Sequence, residues 1–214
     1  MNEFRDKIIV IFAAGCAEGH DLAQMAAGAG ARVVVVDHNG AQANAIATTE
    51  PAQIEALHLD VLRPAHCRLF SAEWGAEPLD LVIHCQPLRT PERVGAAVQA
   101  IPALSEGLAK GLARGRGRVV ILYRAAPPKA GAGPAAMVHA LEALPGLMQA
   151  SDWATGLQVT ALRLPEFGGT GHSLHGAIRA LMGSDFPFAP WMVLPLSPDA
   201  IDAGRSGVKP TRDE

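Results

Sequence analysis

The sequence predicts an α/β fold: a Rossmann-like, doubly wound parallel sheet with helices on both faces, three layers in a single domain. Three observations predict it. Short runs rich in Val and Ile recur at IIVIF (8–12), RVVVV (32–36), LDLVIH (79–84), RVVILY (118–123) and VTALRL (159–164). These runs are apolar throughout rather than alternating, which marks strands buried on both faces. Helix-like segments alternate with them, and right-handed crossovers turn that order into a doubly wound sheet.

The elements follow in order. The run 8–12 leads through a small-residue turn into a helix over about 18–29, which Gly30 ends. The run 32–36 precedes a helix over 40–49, and a further helix covers 64–74. Two long helices, 92–114 and 134–152, flank the run 118–123, with Gly115 and Gly117 punctuating the first. Pro145 lies inside the second helix, where it removes the bond to the Leu141 carbonyl. His172–Met182 reads as one more helix and Trp191–Leu196 as a last strand. The domain is expected over 1–200, with 201–214 as a tail.

A formal net charge of −3 gives no electrostatic reason to expect nucleic acid or an anionic membrane as partner. The apolar run near the N-terminus is too short for a signal peptide or a membrane span. The three cysteines, Cys16, Cys67 and Cys85, form no CxxC pair and no even framework. A reducing, cytoplasmic compartment is the expectation, and no metal site is expected.

From Lys7 to Asp37 the sequence resembles the first βαβ unit of the short-chain dehydrogenase/reductase family, without a gap through DLAQMAAGAGARVVVVDHN. Asp60-Val61 resembles the family's adenine-contacting Asp-Val after a third strand. GRVVILYR (117–124) resembles its fifth strand, and LQVTALRLPEFGGT (157–170) its sixth strand and following turn. The resemblance implies a dinucleotide at the first turn, an Asp37 that holds a ribose and favours NAD, and a tetrad of Asn, Ser, Tyr and Lys that moves a proton.

The positions that bear this chemistry depart from the family. Its Thr-Gly-x-x-x-Gly-x-Gly turn is here Phe12-Ala13-Ala14-Gly15-Cys16-Ala17-Glu18-Gly19. Only Gly19 remains of the three glycines, and Gly15 is an undiagnostic extra. A methyl at Ala17 crowds a pyrophosphate. Glu18 stands at a helix N-terminus, where anions are favoured. Either its carboxylate replaces the ligand there or it points to solvent and helps to cap the helix. The Ser, Tyr and Lys positions fall on Arg124, Met137 and Leu141, and the Asn position near Gly95 or Ala96.

Three residues near the old centre are candidates to stand in for it. Tyr123 is expected to point to the far side of its strand. Lys129 sits in the loop APPKAGAGP, and His139 faces about 160° from Met137 on the helix. The fourth strand ends His84-Cys85-Gln86-Pro87 rather than Asn-Asn-Ala-Gly, and His84 and Cys85 read as buried strand-end residues.

The resemblance with these departures implies a silent member of the family, with no cofactor expected and NAD if any. Its partner would be an active short-chain dehydrogenase, held through 92–114 and 134–152, as in hydroxyacyl-CoA dehydrogenases of aromatic degradation that pair an active with a silent subunit. Small residues in GAAVQAIPALSEGLAKGL and an apolar stripe at Leu141, Leu144, Leu147 and Met148 serve that contact, unless the stripe faces its own sheet. Two other readings stand beside this one. The first is a binding or regulatory protein that uses the old cleft, with Arg124 against a carboxylate or phosphate. The second is an NAD-dependent oxidoreductase with relocated catalytic groups.

Overall fold

Seven strands, all parallel, form one sheet in the computed structural model, in the order β3-β2-β1-β4-β5-β6-β7. The structure describes residues 3–125, 131–165, 171–183 and 191–196. The strands are β1 (Ile8–Phe12), β2 (Arg32–Asp37), β3 (Ile54–His58), β4 (Leu81–His84), β5 (Arg118–Arg124), β6 (Gln158–Leu164) and β7 (Trp191–Pro195). The helices are α1 (Ala17–Gly28), α2 (Gly40–Ala47), α3 (Pro64–Trp74), α4 (Gln86–Arg89), α5 (Val94–Gly107), α6 (Ala109–Gly115), α7 (Ala132–Gln149) and α8 (Gly171–Met182). The doubly wound α/β expectation holds, the last helix and strand included.

Alternation of side chains along each strand divides the core in two. Ile9 and Ile11 of β1 join Val33, Val35, Leu81, Ile83, Val120 and Leu122 under α1, α2 and α8. Val10 and Phe12 join Val34, Val36, Val82, Val119, Ile121 and Tyr123 under α3, α5, α6 and α7. This double coverage is why the runs read as unbroken apolar stretches. The strand β3 lies at the sheet edge and is only partly buried, so it shows no such run; its place came from the family resemblance alone.

Two expectations about the long helices need correction. The segment 92–114 is not one helix. A 3-10 turn over Pro91–Arg93 is followed by α5, a break at Leu108, and α6. Glycine is a poor helix former, and here it recurs every fourth residue. A Cβ on Gly107 would stand 2.0 Å from Ser71 Oγ, one on Gly111 2.5 Å from the Glu77 carbonyl, and one on Gly115 2.3 Å from the Leu79 carbonyl. These small residues therefore serve close packing onto the chain's own segment 71–79. In α7, Leu141, Leu144 and Met148 are buried against the sheet, and only Leu147 of that stripe faces outward. The outer face of α7 is instead Ala132, Ala136, His139, Ala143, Leu147 and Ala150.

Candidate functional site

Strand order reverses between β1 and β4, and the crevice beyond their C-terminal ends is where doubly wound sheets bind ligands. The turn after β1 lies there. The Ala14 amide donates to the Val36 carbonyl at 3.2 Å, and the Gly15 amide to Asp37 Oδ2 at 2.8 Å. Ala13, at the family's first glycine, keeps a left-handed φ of 57°. That conformation strains a residue with a Cβ. Ala13→Gly is therefore expected to stabilise the protein by about 0.5–1 kcal/mol, raising Tm by roughly 1–4 °C in a thermal melt.

Cys16 caps α1: the Gly19 amide donates to its sulfur at 3.4 Å. Glu18 therefore neither caps the helix nor points freely to solvent. Its carboxylate, mostly buried, is paired with the guanidinium of Arg124 at the end of β5. Arg124 also donates to the Pro165 carbonyl, the last described residue after β6, at 2.6 Å. One ion pair thus spans the crevice from the phosphate turn to the position of the family's serine.

The positions expected from the resemblance to meet a ribose and an adenine, Asp37 and Asp60, are also engaged by the chain's own groups. Asp37 is fully buried, and both its oxygens are engaged. Oδ1 accepts from the Asn39 amide at 2.8 Å, and Oδ2 from Gly15 and from Arg89 Nε at 3.3 Å. Arg89, on α4, also pairs with Gln42. These side chains crowd Gly15, where a Cβ would meet Gln42, Asp37 and Arg89 at 2.7–2.9 Å. A side chain at Gly15 would have to displace them. Asp60 accepts from the Leu62 amide and Arg63 and lies 3.6 Å from Arg93. The slot among Ala13, His38, Asp60, Val61, Gln86 and Arg89 has a volume of about 10 Å3, room for one water.

Beside this closed half lies an open one. A cleft of about 580 Å3 is lined mainly by apolar groups, among them Leu88, Val94, Met137, Val138 and Leu141, with Arg124 and Glu92 as its charges. That volume is within the range of small-molecule sites.

No protein-family model matches the chain, and no curated protein matches it. Solved structures do. A metagenomic short-chain oxidoreductase in complex with NADP aligns with a TM-score of 0.72 at 18% identity, over 91% of this chain and 99% of the other. The RhlG–NADP active-site complex of Pseudomonas aeruginosa gives a TM-score of 0.74 at 16% identity, covering 92% and 98%. A gluconate 5-dehydrogenase from Burkholderia cenocepacia, in complex with NADP and tartrate, gives 0.71 at 22% identity, covering 92% and 96%. The fold is that of the short-chain dehydrogenases/reductases.

On this fold the expected tetrad positions come together. Arg124, Met137 and Leu141 line one cleft, and a Cβ on Gly95 would lie 3.9 Å from the Met137 sulfur. Tyr123 points to the opposite face of the strand from Arg124, as expected, with its ring in the α5–α7 layer, although both residues line the cleft. Its hydroxyl donates to Glu142 Oε1 at 3.0 Å, and Glu142 also holds Arg163 at 3.3 Å and His139 at 3.3 Å. Burial and the Glu142 carboxylate push the Tyr123 phenol well up, so at neutral pH it is a fixed donor rather than a base. His139 is exposed, and Lys129 lies outside the described residues.

His84 is buried among protein partners in the short-chain dehydrogenase fold's fourth strand. It stacks on Phe12 at 5.3 Å, its Nε2 lies 3.0 Å from Ser105 Oγ, and its Nδ1 lies 3.2 Å from the side-chain Nε2 of Gln86. Burial pushes its pKa down to about 3 from 6.5. The unfolded chain therefore binds a proton below about pH 6.5 that the folded chain refuses until about pH 3. Stability is expected to fall across that window by up to about 1.4 kcal/mol per pH unit from this residue. Melting His84→Gln beside the wild type from pH 7 to 4 checks this, the variant losing less on acidification. Among the described residues no group of three or more His, Cys, Asp and Glu can hold a metal ion, and no helix is long and apolar enough to cross a membrane.

Proposed function

We propose that this chain is a catalytically silent subunit with the short-chain dehydrogenase/reductase fold, one that assembles with an active member of the family. The Glu18–Arg124 ion pair carries the reading. It places a carboxylate where a pyrophosphate would bind and takes up the Arg124 cation. The roughly 10 Å3 left in the adenine slot and the occupied oxygens of Asp37 support it. The residues present do not fit a nicotinamide dinucleotide, and none of Arg124, Met137 and Leu141 can shuttle a proton at neutral pH.

The surface offered to the partner is the outer face of α7, alanines with the exposed His139 and with Leu147 at 64% exposure. Helices pack most closely where side chains are small. Two measurements test the reading. Calorimetric titration of the isolated chain with NADH is expected to show no binding at micromolar concentrations, and co-expression with dehydrogenases encoded nearby is expected to yield a heteromer. A low-micromolar dissociation constant, or a chain that stays monomeric with every such dehydrogenase, rejects it.

A second reading rests on the cleft of about 580 Å3. A site closed to nucleotide but open beside it suits a protein that holds an apolar ligand without turning it over. A small molecule retained by the isolated chain in native mass spectrometry would favour this reading.

A further inference from the structure

We propose that Cys16 and Cys85 are a modification site, closing reversibly to a disulfide when the protein meets a hydroperoxide. The proposal depends on neither functional reading. The two residues follow the neighbouring strands β1 and β4, whose pairing ends at Phe12 and His84. Cys16 ends the turn after β1. Cys85 directly follows β4, and its amide donates to the Phe12 carbonyl at 2.9 Å. Cys85 is fully buried in the core layer under α1, α2 and α8, and Cys16 packs against that same layer.

Their environments divide the work. Cys16 is partly exposed at the head of a twelve-residue helix, with the Gly19 amide donating to its sulfur at 3.4 Å. Amide donors at a helix N-terminus favour a thiolate, and the thiolate is the nucleophile. The Cys85 thiol and the Gly19 amide hold the Cys16 thiol below its usual range, against burial and the Glu18 carboxylate. Arg124 neutralises Glu18. Cys85 is fully buried, and its thiol is held well up by Cys16 and by burial. It is therefore the resolving partner rather than the first to react.

The steps balance. The Cys16 thiolate attacks the nearer oxygen of the hydroperoxide; an S–O bond forms, the O–O bond breaks, and an alkoxide or hydroxide leaves and takes up a proton. Cys16 is then a sulfenic acid, oxidised by two electrons. The Cys85 sulfur, giving up its proton, attacks the Cys16 sulfur; the S–S bond forms, the S–O bond breaks, and water leaves. A dithiol reductant reverses the change. Cys67 is the internal control. It lies on α3, buried, with its thiol donating to the Val61 carbonyl at 3.0 Å, and burial raises its pKa.

The test treats the reduced full chain with hydrogen peroxide, alkylates the remaining thiols and maps the peptides. A Cys16–Cys85 cross-link is expected, lost on reduction, with Cys67 alkylated. Cys16 should react at least about tenfold faster than Cys67. In Cys85→Ala, a 1,3-dione should trap Cys16 as its sulfenic acid. Cys16→Ser, which keeps a good helix cap, should leave Cys85 reduced. Circular dichroism confirms that both variants are folded. The proposal is overturned if Cys67 reacts first, if wild-type Cys16 advances to sulfinic acid without cross-linking, or if Cys85 oxidises equally well in Cys16→Ser.

Discussion

Leu144→Asp is expected to abolish folding, whereas Leu147→Asp is expected to leave the chain folded and cost it its partner. The two leucines are three residues apart on α7, with opposite surroundings. Leu144 is 4% exposed and sits in the core layer with Ile101, Tyr123 and Met148. Deleting such a side chain costs about 2–5 kcal/mol, and an unpaired buried carboxylate adds several more. The sum rivals the roughly 5–15 kcal/mol by which a domain is stable. Leu147, at 64% exposure, loses little in the isolated chain. In an assembly it would place a charge in an apolar contact. Circular dichroism of both variants and pull-down of the co-expressed dehydrogenase by Leu147→Asp check the contrast. A partner still held by Leu147→Asp would move the interface away from α7.

The pair Ala17→Gly and Glu18→Ile is expected to turn the first turn from an anion-excluding site into an anion-binding one. The change removes a carboxylate and a methyl and frees Arg124, left with the Pro165 carbonyl as its partner among the described residues. A carboxylate about 4 Å from a phosphate repels it by roughly 1–4 kcal/mol, so affinity should rise by about tenfold to several hundredfold. Inorganic pyrophosphate is the right probe, because it needs no adenine slot. NADH should gain measurably only when Arg89→Ala is added to open that slot. No gain for pyrophosphate would mean that the turn's backbone, and not Glu18, excludes phosphate.

The sheet was legible because buried parallel strands write themselves as apolar runs; β3, a partly buried edge strand whose apolar residues are broken up by Glu55, was legible only by resemblance. The glycines of α5 and α6 could be counted but not aimed, since nothing local says whether a small residue admits a partner or the chain's own carbonyls. At the site, the two ends of the main ion pair were both recognised. Glu18 was placed at the phosphate turn and Arg124 at the serine position, and two positions lining one crevice with opposite charge are a pairing signal that the sequence does hold. Arg89 gave none, because the short helix carrying it begins with Gln86-Pro87 and has no amphipathic period of its own. The Cys16–Cys85 contact was hidden likewise: 69 residues separate them, and only the β1–β4 pairing brings them together.

The half-closed crevice has a thermodynamic consequence. When two ligands share a cleft, each alters the affinity of the other by the same factor. On the function proposed above, the chain's own side chains occupy one half, so the first binding event is absorbed into folding. Occupancy of the remaining cleft should follow a simple hyperbola, indifferent to nucleotide concentration, and should respond instead to whatever loosens the Glu18–Arg124 pair, ionic strength above all. What is elsewhere an effector has become part of the protein's own conformational equilibrium.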